Sequence, residues 1–247
     1  MHRGKIIGAI VLVVAIGLIV AQRTSDQDEI TTTGADAPAA AVSSMAALAA
    51  WPTGVSDSYT VDAAQTEVYW RIYRAGAMAS LGHNHVISVG QLEGSVSTGD
   101  DPSTAQWDLV IPVNGLTIDD PEIRARYGED FESVPSEEDK AGTKENMLTE
   151  DLLNGAVYPA ISLTGRGVLG TLETASLPVT IELAGNSIET AFPASVSIDG
   201  NSVTIEGEVR MTHEDLGLVP FSIFGGAMAV GDDIDFSYRI RAVAGGQ

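Results

Sequence analysis

From Thr66 to Arg74 the chain alternates. Val68, Trp70 and Ile72 fall on one side, and Tyr69, Arg71 and Tyr73 on the other, the period-two pattern of a half-buried strand. Tyr59-Thr60-Val61-Asp62 is a shorter run of the same kind. Further strand-like runs follow at Val86–Ser97, Ala105–Val113, Ala160–Leu169, Leu177–Ala184, Ile188–Ile198, Ser202–Thr212 and Asp233–Val243, with turn residues between them. Asp199-Gly200-Asn201 separates two of these runs and predicts a hairpin. Regularly spaced strands joined in this way predict a mainly β, antiparallel sandwich or barrel.

Two segments break the pattern. Residues 119–154 are highly charged and hold two helical candidates. Ser136-Glu137-Glu138-Asp139 reads as a capping-box start, and Met147, Leu148, Leu152 and Leu153 give an apolar stripe at helical spacing that Asn154-Gly155 ends. This crossover serves either as a lid over one end of a barrel or as a solvated connection with one buried side. At the other extreme, every residue from Ile6 to Ala21 is apolar or glycine, after Arg3 and Lys5. A positive start and an apolar run of this length predict an export signal or an uncleaved signal anchor with an N-terminal apolar helix, residues 1–22. Residues 23–57 lack a hydrophobic period and read as a disordered Ala/Thr-rich linker, with a short helix conceivable in the alanine-rich stretch from Ala39 to Ala50. The folded domain is expected over 58–244.

Composition narrows the function. A formal charge of -21 argues against nucleic acid, whose phosphates call for Lys and Arg, and against a basic patch for anionic lipid headgroups. With no cysteine, a disulfide framework, a thiolate metal site and a cysteine nucleophile are all excluded.

Leu81-Gly82-His83-Asn84-His85-Val86-Ile87 carries two of the chain's four histidines. On an extended segment His83 and His85 share a face. With His213 they make a candidate three-histidine site for a zinc-type metal, with Glu214 or Asp215 as a supporting carboxylate. The alternative is that the same histidines bond to backbone or to Asn84 at a barrel rim. Enzymatic activity is not expected: there is no Gly-x-Ser-x-Gly elbow, no phosphate loop and no dinucleotide fingerprint, and Ser80 near His83 is a weak dyad.

The order of elements resembles the YceI-like family of exported bacterial proteins over roughly residues 58–244. Tyr59-Thr60-Val61-Asp62 is similar to that family's opening, and Thr66-Glu67-Val68-Tyr69-Trp70 to its first long strand. Leu148-Thr149-Glu150-Asp151-Leu152-Leu153 followed by Val157-Tyr158-Pro159-Ala160-Ile161 is similar to its most recognisable segment. Pro178-Val179 and Asp215-Leu216-Gly217-Leu218 fit later positions. The resemblance implies an extended, eight-stranded, lipocalin-like antiparallel barrel around a long apolar ligand, typically a polyisoprenoid, with a barrel wide enough for one such molecule. The His83/His85 pair, the enlarged charged segment 128–146 and the apolar Phe221-Ser222-Ile223-Phe224-Gly225-Gly226 run depart from the simplest pattern. Candidate ligand contacts are Trp70, Ile72, Met78, Leu81, Val86, Trp107, Phe192, Phe221 and Phe224, with His83 and His85 at the mouth. The expected partners are the apolar ligand and, through residues 6–21, a membrane; the expected location is the periplasm, either tethered or released.

Overall fold

The computed structural model describes Trp51 and residues 58–245. The expected N-terminal apolar helix and the linker over 23–57, apart from Trp51, lie outside these residues. Among the described residues no helix is long and apolar enough to cross a membrane.

The strands run β1 (Tyr59–Val61), β2 (Glu67–Ala75), β3 (His85–Val89), β4 (Glu93–Ser97), β5 (Gln106–Pro112), β6 (Leu116–Ile118), β7 (Ala160–Arg166), β8 (Leu169–Gly170), β9 (Ala175–Leu183), β10 (Asn186–Ile198), β11 (Ser202–Thr212), β12 (Ser222–Ile223) and β13 (Met228–Ala244). Neighbours pair antiparallel in the order β1-β4-β5-β7-β9-β10-β11-β13, and the ring closes because β1 also pairs with β13, Thr60 opposite Val243. This is the expected eight-stranded barrel. Closure leaves no free edge along this ring.

One expected strand is split. The run expected as one strand over Val86–Ser97 is in fact β3 and β4, whereas that expected over Ala105–Val113 is β5, with the short β6 added after a turn. Glycines stand at this break and just after it. A Cβ on Gly90 would stand 2.7 Å from Gly115 O, and Gly94 has φ +139 against the β5 backbone. From β13 the sheet also continues through β2, β3 and β6, which are not part of the ring of eight.

The face of β2 that alternation marks as outward is not bare. Tyr69 and Val86 pack with Ile123 and Phe131 into a second, smaller core. These partners come from α1 (Pro121–Arg124), capped by Asp120 with Pro121 in the first turn, and the 3-10 turns that follow it. Val86, expected as a ligand contact, belongs to this outer core and not to the barrel interior.

The second helix, α2 (Glu137–Met147), starts at the expected capping box: Ser136 Oγ accepts from the Asp139 amide, and the Asp139 carboxylate accepts from the Ser136 amide. It ends at Met147, earlier than the apolar stripe predicts. The rest of the stripe follows in turns closed by hydrogen bonds such as Leu153 N to Met147 O at 3.1 Å. Met147 and Leu153 are still buried in the main core.

Candidate functional site

The barrel encloses a cavity of about 300 Å³ whose walls are almost wholly aliphatic and aromatic. Its inward faces come from the strand alternation. On β2, Val68, Trp70 and Ile72 line it; on β9, Leu177, Val179 and Ile181 do so. Two glycine positions shape it by being empty. Gly165 stands opposite Trp107 across β5 and β7, and a side chain there would collide with the indole. Gly207 stands opposite Tyr238 and leaves the same kind of space for its ring. Tyr238 donates its hydroxyl to Pro193 O, and burial pushes its phenol up to about 12, so it presents a neutral wall. Phe192 stacks on Tyr238 at 5.8 Å, and Trp70 leans on Phe236 at 5.8 Å.

Polar groups gather at one end. His85 begins β3, His213 follows β11, and Thr143 and Asn146 lie on α2; all four side the cavity. Asn146 and Phe221 are partly in water there, so this end is the mouth, and α2 is a lid across part of it. Lys144 Nζ ties α2 to Asn114 O at 2.8 Å, beside β6.

His85 is held from behind. Its Nδ1 donates to Asp119 Oδ2 at 2.7 Å. Asp119 is 1% exposed, adopts φ 57 and also accepts from the Val86 amide and, at 2.6 Å, from Arg124 Nη1. An aspartate tolerates this left-handed backbone better than most residues. Arg124, 6% exposed, directs its other hydrogen bonds to Asn84 O, Phe131 O and Ser133 O. Burial pushes the Asp119 carboxyl up, but the hydrogen bond and charge of His85, the Val86 amide and Arg124 outweigh it and hold the group below the ordinary carboxylate range.

With Nδ1 committed to Asp119, a neutral His85 presents Nε2 as an acceptor. Thr143 Oγ1 lies 3.4 Å from that nitrogen. The Thr143–His85–Asp119 order resembles a hydrolytic triad. The Thr143 hydroxyl, however, donates to Asp139 O at 2.9 Å one helical turn back, so it links lid to mouth and is not held as a nucleophile. His213 likewise commits Nδ1, to Asp232 O at 2.9 Å. The mouth therefore carries two imidazoles anchored from outside, ready to take a hydrogen bond from a polar end group.

The expected contacts divide. Trp70, Ile72, Trp107, Phe192, Phe221, His85 and also His213 line the main cavity. Met78 and His83 line a smaller side pocket instead, and Leu81 and Phe224 point into water. Their placement is a correction: Leu81 lies in a turn, and the segment 221–226 turns back on itself at Gly225, which leaves Phe224 outside. The three-histidine metal site is not formed. Among the described residues no cluster of three His, Cys, Asp or Glu is placed to hold a metal. His83 and His85 stand 6.1 Å apart by ring centres, but His83 turns to Ser133 and Asp139. Asp119, Arg124, Thr143 and Asn146 carry no sequence signal of their own. The one usable cue is Asp120-Pro121, which places a helix cap directly after β6.

The fold is a closed antiparallel barrel around an apolar cavity, with His85 and His213 among its few polar walls. The family model for the YceI-like domain matches residues 59–242, and the chain belongs to that family. Among solved structures, BcnA of Burkholderia cenocepacia superposes with a TM-score of 0.53 at 12% identity, over 74% of this chain and 99% of that one. A polyisoprenoid binding domain from Saccharophagus degradans, implicated in plant cell wall breakdown, gives 0.47 at 13% identity, over 76% and 98%. The Campylobacter jejuni YCEI protein gives 0.43 at 13% identity, over 65% and 85%. At 12% identity the likeness to BcnA speaks for the fold alone. No curated protein matches the chain.

Proposed function

We propose that this chain is an exported lipid-binding protein that holds a polyisoprenoid or similarly long apolar molecule in its barrel, for carriage or storage and not for catalysis. The observation that carries the reading is the cavity itself: about 300 Å³ walled by apolar side chains, with His85, Thr143, Asn146 and His213 together at one end. Ligand sites occupy roughly 300–1,000 Å³ and are mainly apolar with a few placed polar groups. Membership of the YceI-like domain family supports the same ligand class. An apolar chain gains about 0.8 kcal/mol per buried CH₂, and the histidines suit a ligand whose last atoms are polar.

Native mass spectrometry of the full chain, purified from its own membrane, is expected to show a retained lipid mass and no metal mass. A barrel that arrives empty from lipid-rich extracts would sink the reading.

The apolar run of residues 6–21, after Arg3 and Lys5, supports tethering to the inner membrane with the barrel in the periplasm. Amino-terminal sequencing of the exported protein is expected to find residues 6–21 still present; a mature start between Gln22 and Ala50 would show release.

A further inference from the structure

Two loops at the mouth end hold apolar side chains in water. The turn after β2 carries Met78 and Leu81, the latter 66% exposed; the segment before β13 carries Val219, Phe221, Ile223 and Phe224, with Val219 75% and Phe224 74% exposed. The loops form one surface. The Met78 amide donates to Ala227 O at 2.8 Å, Ser222 and Ile223 pair with Ala229 and Met228, and Ala229 pairs with Ala75. At Gly76, with φ +90, an added Cβ would overlap Ala227 O, so the two backbones touch there. Single exposed apolar residues need no explanation, but a contiguous set does.

Between the two loops lies a second cavity of about 120 Å³, walled by Met78, Ile223 and Met228 together with Ile72, His85 and Phe221. The last three also line the barrel cavity, so the two spaces share walls. The sheet is loosened at this place. Pairing of β13 with β2 advances from Val230 to Ile234 while β2 moves only from Arg74 to Ile72. The apolar patch therefore surrounds a side approach to the ligand space.

Resting on the lipid-binding reading above, we infer that these loops dock on a lipid bilayer, with Leu81 and Phe224 inserted and the side pocket serving as the ligand's passage. Passage through an apolar contact spares the ligand exposure to water, which costs about 0.8 kcal/mol for each CH₂. Chain length allows the geometry. Trp51 Nε1 donates to Gly99 O, at the barrel end opposite the mouth. Residues 22–50, fully extended at ~3.3–3.6 Å each, reach about 100 Å. The 17-residue β13, the longest strand among the described residues, spans only about 56 Å at ~3.3 Å per residue. A barrel tied by the apolar run at residues 6–21 can thus turn its mouth to the same bilayer. The charge of -21 offers no attraction to anionic headgroups, so apolar insertion drives the contact.

The absence of cysteine makes the test direct, because one introduced thiol labels one place. Full-length Phe224→Cys and Asn201→Cys proteins, the second labelled in the hairpin at the far end of the barrel, are reconstituted in phosphatidylcholine vesicles containing quencher-bearing lipid. Quenching is expected to be several-fold stronger at position 224 than at 201, and Leu81→Asp should remove most of that difference. Equal quenching at both positions would overturn the inference. A high yield of disulfide between two Phe224→Cys chains would overturn it as well, by assigning the patch to a second copy. Native mass spectrometry on the same samples separates the two readings. Quenching at 224 without any retained lipid mass leaves docking standing and the carrier reading fallen; retained lipid with 224 unquenched does the reverse.

Discussion

Asp119→Ala is expected to cost the protein about 3–5 kcal/mol, the usual effect of removing one partner from a buried ion pair. Asp119 is 1% and Arg124 6% exposed, and their 2.6 Å contact is the only carboxylate contact of Arg124 among the described residues. The alanine variant leaves the guanidinium buried with carbonyl oxygens and the Phe131 ring but no carboxylate. It also frees His85 and removes the acceptor of the Val86 amide. For a domain of this size, about 2–4 °C per kcal/mol places the loss in melting temperature at roughly 6–20 °C. The origin of the loss is checked by a second variant, Asp119→Ala with Arg124→Met. If the stranded charge is the cause, the double variant is more stable than the single one. A single variant within about 1 kcal/mol of the native protein would show that the pair carries little.

The same group gives the stability a signed pH dependence. The folded carboxyl sits below the ordinary value of about 3.9. A group depressed on folding stabilises the native state at pH above its unfolded pKa, and that contribution is lost as pH falls through the folded one. Acid unfolding of the native protein is therefore expected to steepen below about pH 4, and Asp119→Asn, whose side chain tolerates the same backbone, should flatten that part of the curve.

How far each feature is legible in the sequence depends on the range over which it is encoded. The β2 strand shows in nine residues because Val68, Trp70 and Ile72 repeat with the pleat, and the same side chains line the cavity. The Asp199-Gly200-Asn201 hairpin is equally local: Asp199 Oδ1 accepts from the Asn201 and Ser202 amides. The break between β3 and β4 is not visible in the alternation, since it rests on Gly90 and Gly94 meeting backbone from β5 and the turn after it. The opposite face of β2 misleads in another way. Tyr69 and Tyr73 occupy positions that alternation assigns to solvent, yet Tyr127 and Phe131 cover them from more than fifty residues away.

The mouth is hardest to read, for the same reason. Asp119 sits in Asp119-Asp120-Pro121, which has the look of a polar turn, and its partner His85 is 34 residues earlier. His83 and His85 are neighbours in sequence and suggest a joint site. The chain does not enter β3 until His85, so His83 lies outside the strand and faces the side pocket. His213, remote in sequence, is the histidine that shares the main cavity with His85.

Filling the cavity should abolish ligand retention while leaving a folded barrel. Val179 is buried, belongs to the central part of β9 and faces the cavity. Val179→Trp places an indole where the apolar chain would run, and Val179→Phe is a milder version in case the larger ring does not fit. In a tightly packed interior such changes cost about 1–3 kcal/mol; here the ring enters existing space, so the ligand-free protein should lose less. The loss appears in the loaded protein. A ligand present at roughly 100–1,000 times its Kd stabilises by about 2.7–4.1 kcal/mol, and the filled variants forfeit that increment. The expected result is native protein with a lipid mass and a raised melting temperature, beside variants with no lipid mass and the melting temperature of delipidated protein. If the space were only loose packing, the phenylalanine variant would gain stability and nothing else would change. Unaltered lipid mass in both variants would place the ligand outside the barrel and remove the main support for a carrier.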